Sequence, residues 1–320
     1  MVQLVVEELG SVTFTEGATP EPGPGQLRVD VGAAGVNYVD GLLIQGRYQI
    51  KPPLPFTPGS EIAGTVSALG DGVSGFSVGD RILAMCGFGG FASQVVINAD
   101  SAVPVPEKMD FARAATFTQS YCTALFALRD RVGLRPGETV LALGAGSGVG
   151  LAAVQVAVAL GARVLAAASS PEKRDMSLAA GAEGVVDTAS PDAVKAAARD
   201  FAAGGVDVVF DPVGGDLAPA TLRALRDFGR YTVIGFTGGI PSVPLNQVLL
   251  RNRSVVGVDW GFWALTNPVK QRELLEDALA LVADGRLDPV APQERPLTEI
   301  EGALADLAAR RVAGKIALIP

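Results

Sequence analysis

The chain of 320 residues contains no histidine. That absence removes the commonest general base at neutral pH and the commonest metal ligand. Cysteine is almost as scarce. Only Cys86 and Cys122 occur, with no Cys-x-x-Cys pair, so neither a disulfide framework nor a zinc centre built from His and Cys can be assembled. Charge is thin as well. Charged residues make up 19% of the chain, the net charge is −8 and no Lys/Arg block occurs, which argues against nucleic acid and anionic membrane as partners. The apolar stretch from Val149 to Leu160 is too short to span a bilayer. Met1 leads into Val-Gln-Leu-Val-Val-Glu-Glu with no basic-then-apolar leader, so a cytoplasmic location is the expectation. Chemistry must therefore rest on a cofactor, on backbone dipoles, or on Tyr, Ser, Thr, Lys and carboxylate side chains.

What the chain has in plenty is apolar residues, 48%, and 39 glycines. The most informative run is Thr139-Val-Leu-Ala-Leu-Gly-Ala-Gly-Ser-Gly-Val-Gly-Leu-Ala-Ala-Val154. It reads as a buried strand, a tight glycine turn and the start of a helix. Such a turn brings bare backbone close to a pyrophosphate while the free N–H groups of the new helix point at it. Taking Thr139 to Leu143 as the strand, the three positions of the dinucleotide fingerprint fall on Ala145, Ser147 and Gly150. Gly146, Ser147, Gly148 and Val149 are then the expected pyrophosphate contacts. A second strand, Arg163 to Ala168, completes a βαβ unit. The alternative, a strand-to-helix turn with no ligand, is available to any glycine-rich segment.

The first hundred residues differ from the middle of the chain. Short β-branched or alternating runs (Gln3 to Glu7, Gln26 to Val31, Ile62 to Ala68, Arg81 to Met85, Ala92 to Ile97) predict an irregular, mostly antiparallel β domain. Phe111 to Arg129 has helical periodicity. Strands are then predicted at Val140 to Leu143, Val164 to Ala168, Gly184 to Asp187, Val206 to Phe210, Tyr231 to Gly235 and Ser254 to Val258. Helices are predicted between them at Gly148 to Leu160, Pro171 to Ala180, Pro191 to Ala203 and Ala218 to Leu225. This alternation predicts an α/β fold with a doubly wound parallel sheet of six strands. Helices Val269 to Ala283 and Leu297 to Arg310 follow, and Lys315 to Ile319 reads as a strand returning to the first domain. The expected division is 1–115 with 262–320 for the catalytic domain and 116–261 for the dinucleotide-binding domain.

Cofactor choice is read at the end of the second strand, where an NAD site usually carries Asp or Glu for the ribose 2′-OH. Here Ala168 occupies that place, followed by Ser169, Ser170, Glu172, Lys173 and Arg174. Hydroxyls and cations without an acid at the strand end favour the 2′-phosphate of NADPH, with Ser169, Ser170 and Lys173 as its contacts. The competing reading is that Ser169 caps the next helix, with Lys173 and Arg174 on its solvated face.

Several segments resemble the medium-chain dehydrogenase/reductase superfamily, in its zinc-independent quinone oxidoreductase group, along essentially the whole chain. Gly35-Val-Asn-Tyr-Val-Asp40 resembles that group's segment at the active-site cleft, and Tyr48 stands in its Gly-x-Tyr position. Pro55-Phe-Thr-Pro-Gly-Ser-Glu-Ile-Ala-Gly64 is similar to its Pro-Gly-x-Glu-x-x-Gly signature. In the zinc branch a cysteine ligand would fall on Asn37 and a histidine on Ser60, which leaves only Glu61, so no metal is expected. The resemblance implies a GroES-like catalytic domain beside the Rossmann domain. It implies cofactor contacts from Thr123, from Gly235 and Phe236 at the nicotinamide, and from Asp259 and Trp260 in the stretch that closes the cleft. For Trp260, Phe262 and Trp263 domain-interface packing is the competing reading.

The expected chemistry is hydride transfer from NADPH to a quinone or an α,β-unsaturated carbonyl. With no metal or histidine, Asn37, Tyr48 and Tyr38 are the candidate donors to the oxygen that gains charge. An enoyl-thioester reductase of the acryloyl-CoA-like kind and a non-catalytic NADPH-binding protein are the alternatives. A homodimer through the strand at Ser254 to Val258 is expected by analogy with the family.

Overall fold

Apolar alternation along Gln26–Val36 makes this the central strand of the N-terminal part of the chain. The computed structural model describes residues 1–320, which divide into two units: Met1–Thr118 with Ala291–Pro320, and Gln119–Val290. Elements are numbered along the chain. In the first unit β1 (Val2–Val5) pairs with β2 (Thr13–Glu16). The larger sheet has the order β14-β15-β3-β4-β5-β7, with β6 also on β3. Its strands are β3 (Gln26–Val36), β4 (Glu61–Leu69), β5 (Arg81–Met85), β6 (Gln94–Asn98), β7 (Ala102–Pro104), β14 (Gln293–Pro296) and β15 (Ile316–Ile319).

Along one edge β3 pairs with β4. Along the other it pairs first with β6, from residue 26 to 30, and then with β15, from 34 to 36. Register shifts at Arg28/Val29 and Val31/Ala33 mark bulges, which bend and twist the strand. Leu27, Val29, Ile62, Val66, Ile82, Phe91, Ile316 and Leu318 fill the core beneath. A single residue, Asn37, separates the end of β3 from helix α1 (Tyr38–Ile44).

In the second unit six strands are parallel: β8 (Thr139–Leu143), β9 (Arg163–Ala168), β10 (Gly184–Asp187), β11 (Val206–Asp211), β12 (Leu225–Val233) and β13 (Ser254–Gly257). Their order is β10-β9-β8-β11-β12-β13. Counted from β8 this is the doubly wound order that reverses between its first and fourth strands, and the carboxyl ends at that reversal are where such sheets bind ligands. Every residue of β8 is buried, as a parallel strand covered on both faces requires. Helices α4 (Gly148–Ala159), α5 (Pro171–Ala179), α6 (Pro191–Phe201) and α7 (Leu217–Leu222) link the strands up to β12, and the short α8 (Asn246–Leu249) lies between β12 and β13. The predicted α/β class with a doubly wound six-stranded sheet and an antiparallel-rich β unit is the observed one.

Three predicted boundaries are corrected. The helix expected over Phe111 to Arg129 is three pieces: α2 (Phe111–Ala115), α3 (Thr118–Leu125) and a π-helical stretch, Phe126–Arg131. The break follows from Thr116, whose Oγ1 donates to the carbonyls of Ala112 (3.0 Å) and Arg113 (3.2 Å) and competes with the helix ladder. The fifth parallel strand begins at Leu225, not Tyr231, because Leu225 pairs with Val206 before a bulge holds Phe228 at φ 61°. The chain returns to the first unit at Ala291, where the sequence pointed to 262. Helix α10 (Pro268–Ala283) stays with the second unit through Leu274, Leu275, Ala278 and Leu279, and Asp277 pairs with Arg129 at 2.7 Å. Beyond it, the Asp288 carbonyl accepts from Gln155 Nε2 at 2.6 Å. No helix is long and apolar enough to cross a membrane.

Candidate active site

The glycine turn lies at the carboxyl end of β8. Gly144 takes φ 59°, and Ser147 caps α4: its Oγ accepts from the Gly150 N–H (3.2 Å) and donates to the Gly144 carbonyl (2.7 Å). A Cβ on Gly150 would stand 2.1 Å from the Gly144 carbonyl oxygen, so this position requires glycine for the helix to start so close to the turn. The backbone N–H groups of Gly146, Gly148 and Val149 make no hydrogen bond within the protein. Three bare donors at the start of a twelve-residue helix form a cradle for an anion. A Cβ on Gly146 would meet the Lys173 stem at 2.3 Å, so Lys173 packs directly over the turn.

At the end of β9, Ser169 is exposed and Ser170 caps α5, its Oγ accepting from the Lys173 N–H at 3.3 Å. Arg174 is turned away to other partners. Its Nη1 donates to the Ala168 carbonyl (3.1 Å) and to Asp187 (2.7 Å), the last residue of β10. The Ala189 N–H and that ion pair hold the Asp187 carboxyl below the usual carboxylate range. Thr123 is buried in α3. Gly235 and Phe236 follow β12, with Phe236 exposed. Asp259 caps helix α9 (Trp260–Thr266), accepting from the Phe262 N–H at 3.0 Å. Trp260 is buried and donates its indole N–H to Gln271 (2.8 Å), and Trp263 stacks on Phe126 at 4.5 Å between centroids. Both tryptophans thus pack inside this unit, while Phe262 is exposed.

The first unit holds a second constellation. Asn37, between β3 and α1, donates from Nδ2 to Glu61 Oε1 at 3.0 Å and accepts at Oδ1 from Lys315 Nζ. Lys315 also donates to Glu61 Oε1 at 2.9 Å. Asp40, in the first turn of α1, accepts the Asn37 backbone N–H at 2.7 Å. The pairing explains the convergence. Glu61 opens β4 opposite Gly35, and Ile316 lies opposite Val36, which brings Lys315 beside Asn37. A Cβ on Gly35 would stand 2.7 Å from Glu61 Oε1 and 2.3 Å from the Ala115 carbonyl oxygen, so glycine there leaves the lane by which Glu61 reaches Asn37.

Burial is deep: Asp40 is 0% and Glu61 1% exposed. Asp40 Oδ1 has no hydrogen-bond partner, and burial pushes this carboxyl from 3.8 to about 7. Burial likewise pushes the neighbouring Cys86 thiol up to about 12, so it stays protonated. Of the predicted donors, Asn37 sits inside this network, Tyr38 opens α1 half-exposed, and Tyr48 lies partly buried in a bend beyond α1. Lys315 and Asp40 escaped the sequence reading. Their only signals were the predicted return of the last strand and the position of Asp40 three residues after Asn37.

Residues 148–283 match the family model described as zinc-binding dehydrogenase, and residues 23–107 match the alcohol dehydrogenase GroES-like domain. Quinone oxidoreductase-like protein 2 of Bos taurus is 39% identical over 315 residues, covering 97% of this chain and 90% of that protein. The chain belongs to the medium-chain dehydrogenase/reductase superfamily. Within that superfamily it resembles the quinone oxidoreductase of Thermus thermophilus, solved also as its complex with NADPH, with 33% identity and a TM-score of 0.85 over 100% of both chains. The CurK enoyl reductase superposes with a TM-score of 0.89 at 28% identity, over 99% of this chain and 98% of that one. The metal named in one family description does not fit these residues. No group of three or more Cys, Asp or Glu side chains is placed to hold an ion, and the Glu61 carboxylate already carries the Lys315 ammonium.

Proposed function

We propose that this protein is a zinc-independent, NADPH-dependent oxidoreductase that reduces a quinone or an α,β-unsaturated carbonyl. The observation that carries the reading is the cradle of unpaired N–H groups at Gly146, Gly148 and Val149. Its donors suit a diphosphate, and the helix dipole adds to them. Lys173, whose stem packs over the turn, with Ser169 and Ser170 beside it, suits a 2′-phosphate. Thr123, Gly235, Phe236, Asp259 and Trp260 complete the proposed cofactor set.

When bound, the nicotinamide supplies the hydride. The remaining task for the protein is to stabilise negative charge on the substrate oxygen. We assign this to Asn37 and Tyr48, with Tyr38 as a third donor; a phenol can also return the final proton. The ammonium of Lys315, seated on Glu61 and Asn37, supports a site that works without zinc. A homodimer is proposed through β13, which ends the six-stranded sheet and carries the exposed Val255. The similarity to the CurK enoyl reductase favours a second reading, reduction of an enoyl thioester.

The test is steady-state NADPH consumption with a panel of quinones, simple enones and enoyl-CoA esters, on protein treated with a chelator. Turnover on quinones or enones supports the first reading, and turnover that needs the CoA part supports the second. NADPH binding without turnover on any of them would leave a binding protein and overturn both.

A further inference from the structure

We propose that Lys315 is a positioning residue that, together with Glu61, fixes the orientation of the Asn37 side-chain amide and so leaves one amide N–H for the substrate oxygen. This rests on the reductase reading above. The geometry behind it is a matter of donor and acceptor capacity. An ammonium can only donate, and an ionised carboxylate can only accept. Asn37 lies between the two, with Oδ1 on Lys315 and Nδ2 on Glu61. Turning the amide over would set its NH₂ against the ammonium and its carbonyl against the carboxylate, so a single orientation survives. One hydrogen of Nδ2 is used by Glu61 and the carbonyl faces Lys315, so the second Nδ2 hydrogen is what the side chain has left to offer.

Other features hold the residue as tightly. Asp40 takes the Asn37 backbone N–H, which fixes the chain where β3 turns into α1. Gly35 keeps the lane open for Glu61. Lys315 is 278 residues from Asn37 and 254 from Glu61 in sequence, and it reaches them because β15 lies antiparallel against the end of β3. A buried ion pair of this kind contributes little net stability once both partners are desolvated. An amide locked in the one orientation that presents N–H is pre-organised for a developing oxyanion.

Lys315→Met alone strands the Glu61 charge and can simply misfold. The informative variant is therefore Glu61→Gln/Lys315→Met, which removes both charges at nearly constant volume. It is measured with and without Asn37→Ala. With Asn37 present, kcat on an enone should fall on the order of 10²-fold, while the Kd for NADPH and the unfolding temperature stay close to those of the parent. In the Asn37→Ala background the same pair of changes should cost nothing further, because Lys315 acts through Asn37. Full turnover in the folded double variant, or an equal loss in both backgrounds, would overturn the proposal.

A readout independent of turnover separates this from failure of the reductase reading. The Asn37 side-chain amide resonances should be dispersed and slow to exchange in the parent, and averaged in the double variant. Identical resonances in the two proteins would overturn the positioning role even if the parent turned over. A parent without turnover would sink the reductase reading, and the resonances would still decide the positioning.

Discussion

Replacing Asp40 with asparagine should alter the pH dependence of stability more than stability at any single pH. Asp40 is fully buried, one of its oxygens has no partner, and its carboxyl is pushed from 3.8 to about 7 by burial, against the opposing pull of the Asn37 N–H and Lys315. Glu61, on β4, adds a push in the same direction as burial. The sign follows from linkage. The native protein binds this proton more tightly than the unfolded chain, so folding takes up a proton between pH 3.8 and about 7. The contribution of this carboxyl to stability is greatest below that window, falls as pH rises through it, and levels off above. With those two values the loss between pH 5 and pH 8 is about 2–3 kcal/mol.

An asparagine keeps an oxygen for the Asn37 N–H and does not titrate. Amide hydrogen exchange of β3 and β4 peptides, corrected for intrinsic rates, reads the difference locally. Protection in the parent should fall by about two decades more than in Asp40→Asn between pH 5 and pH 8. Parallel curves for the two proteins would refute the claim that this carboxyl is held protonated by burial.

Other perturbations follow from the glycine turn and the tyrosine. Gly150→Ala sets a Cβ 2.1 Å from a backbone oxygen, so it should cost about 1–3 kcal/mol and weaken NADPH binding at least tenfold; an unchanged unfolding temperature and Kd would contradict the close-approach argument. Ser147→Ala removes the cap of α4 and should cost about 1 kcal/mol in denaturant titration; no loss would mean the cap contributes nothing. Lys173→Met should raise the Kd for NADPH about tenfold while that for NADH holds, and equal weakening of both nucleotides would remove it from the 2′-phosphate. Tyr48→Phe should slow enone turnover on the order of 10²-fold with NADPH binding intact; unchanged turnover would take the phenol out of the mechanism.

How much of this was legible in the sequence depended on distance along the chain. Thr139 to Gly150 could be read because strand, turn and helix start lie within twelve residues and each obeys a local rule: apolar run, glycine, serine cap. Strands β8, β9 and β11 could be read because burial makes them mostly apolar. The break at Thr116 was hidden, since a helix-compatible hydroxyl ended the helix by bonding back to its own carbonyls. The start of β12 was hidden for a related reason: Arg226, Asp227 and Phe228 are exposed and bulged, so they show no strand pattern. Asn37 stood out through the resemblance, yet its amide proved to be committed to Glu61 and Lys315. Nothing near residue 315 signals that partnership. It exists only once the last strand has docked against β3.

The most direct test of the central claim, that bare backbone at Gly146, Gly148 and Val149 holds the diphosphate of NADPH with no metal in the site, is an equilibrium titration of chelator-treated protein with NADPH, followed by nucleotide fluorescence with metal content measured on the same sample. Saturable binding to metal-free protein is the predicted result. No binding, or binding and turnover that appear only when zinc is restored, would contradict the account.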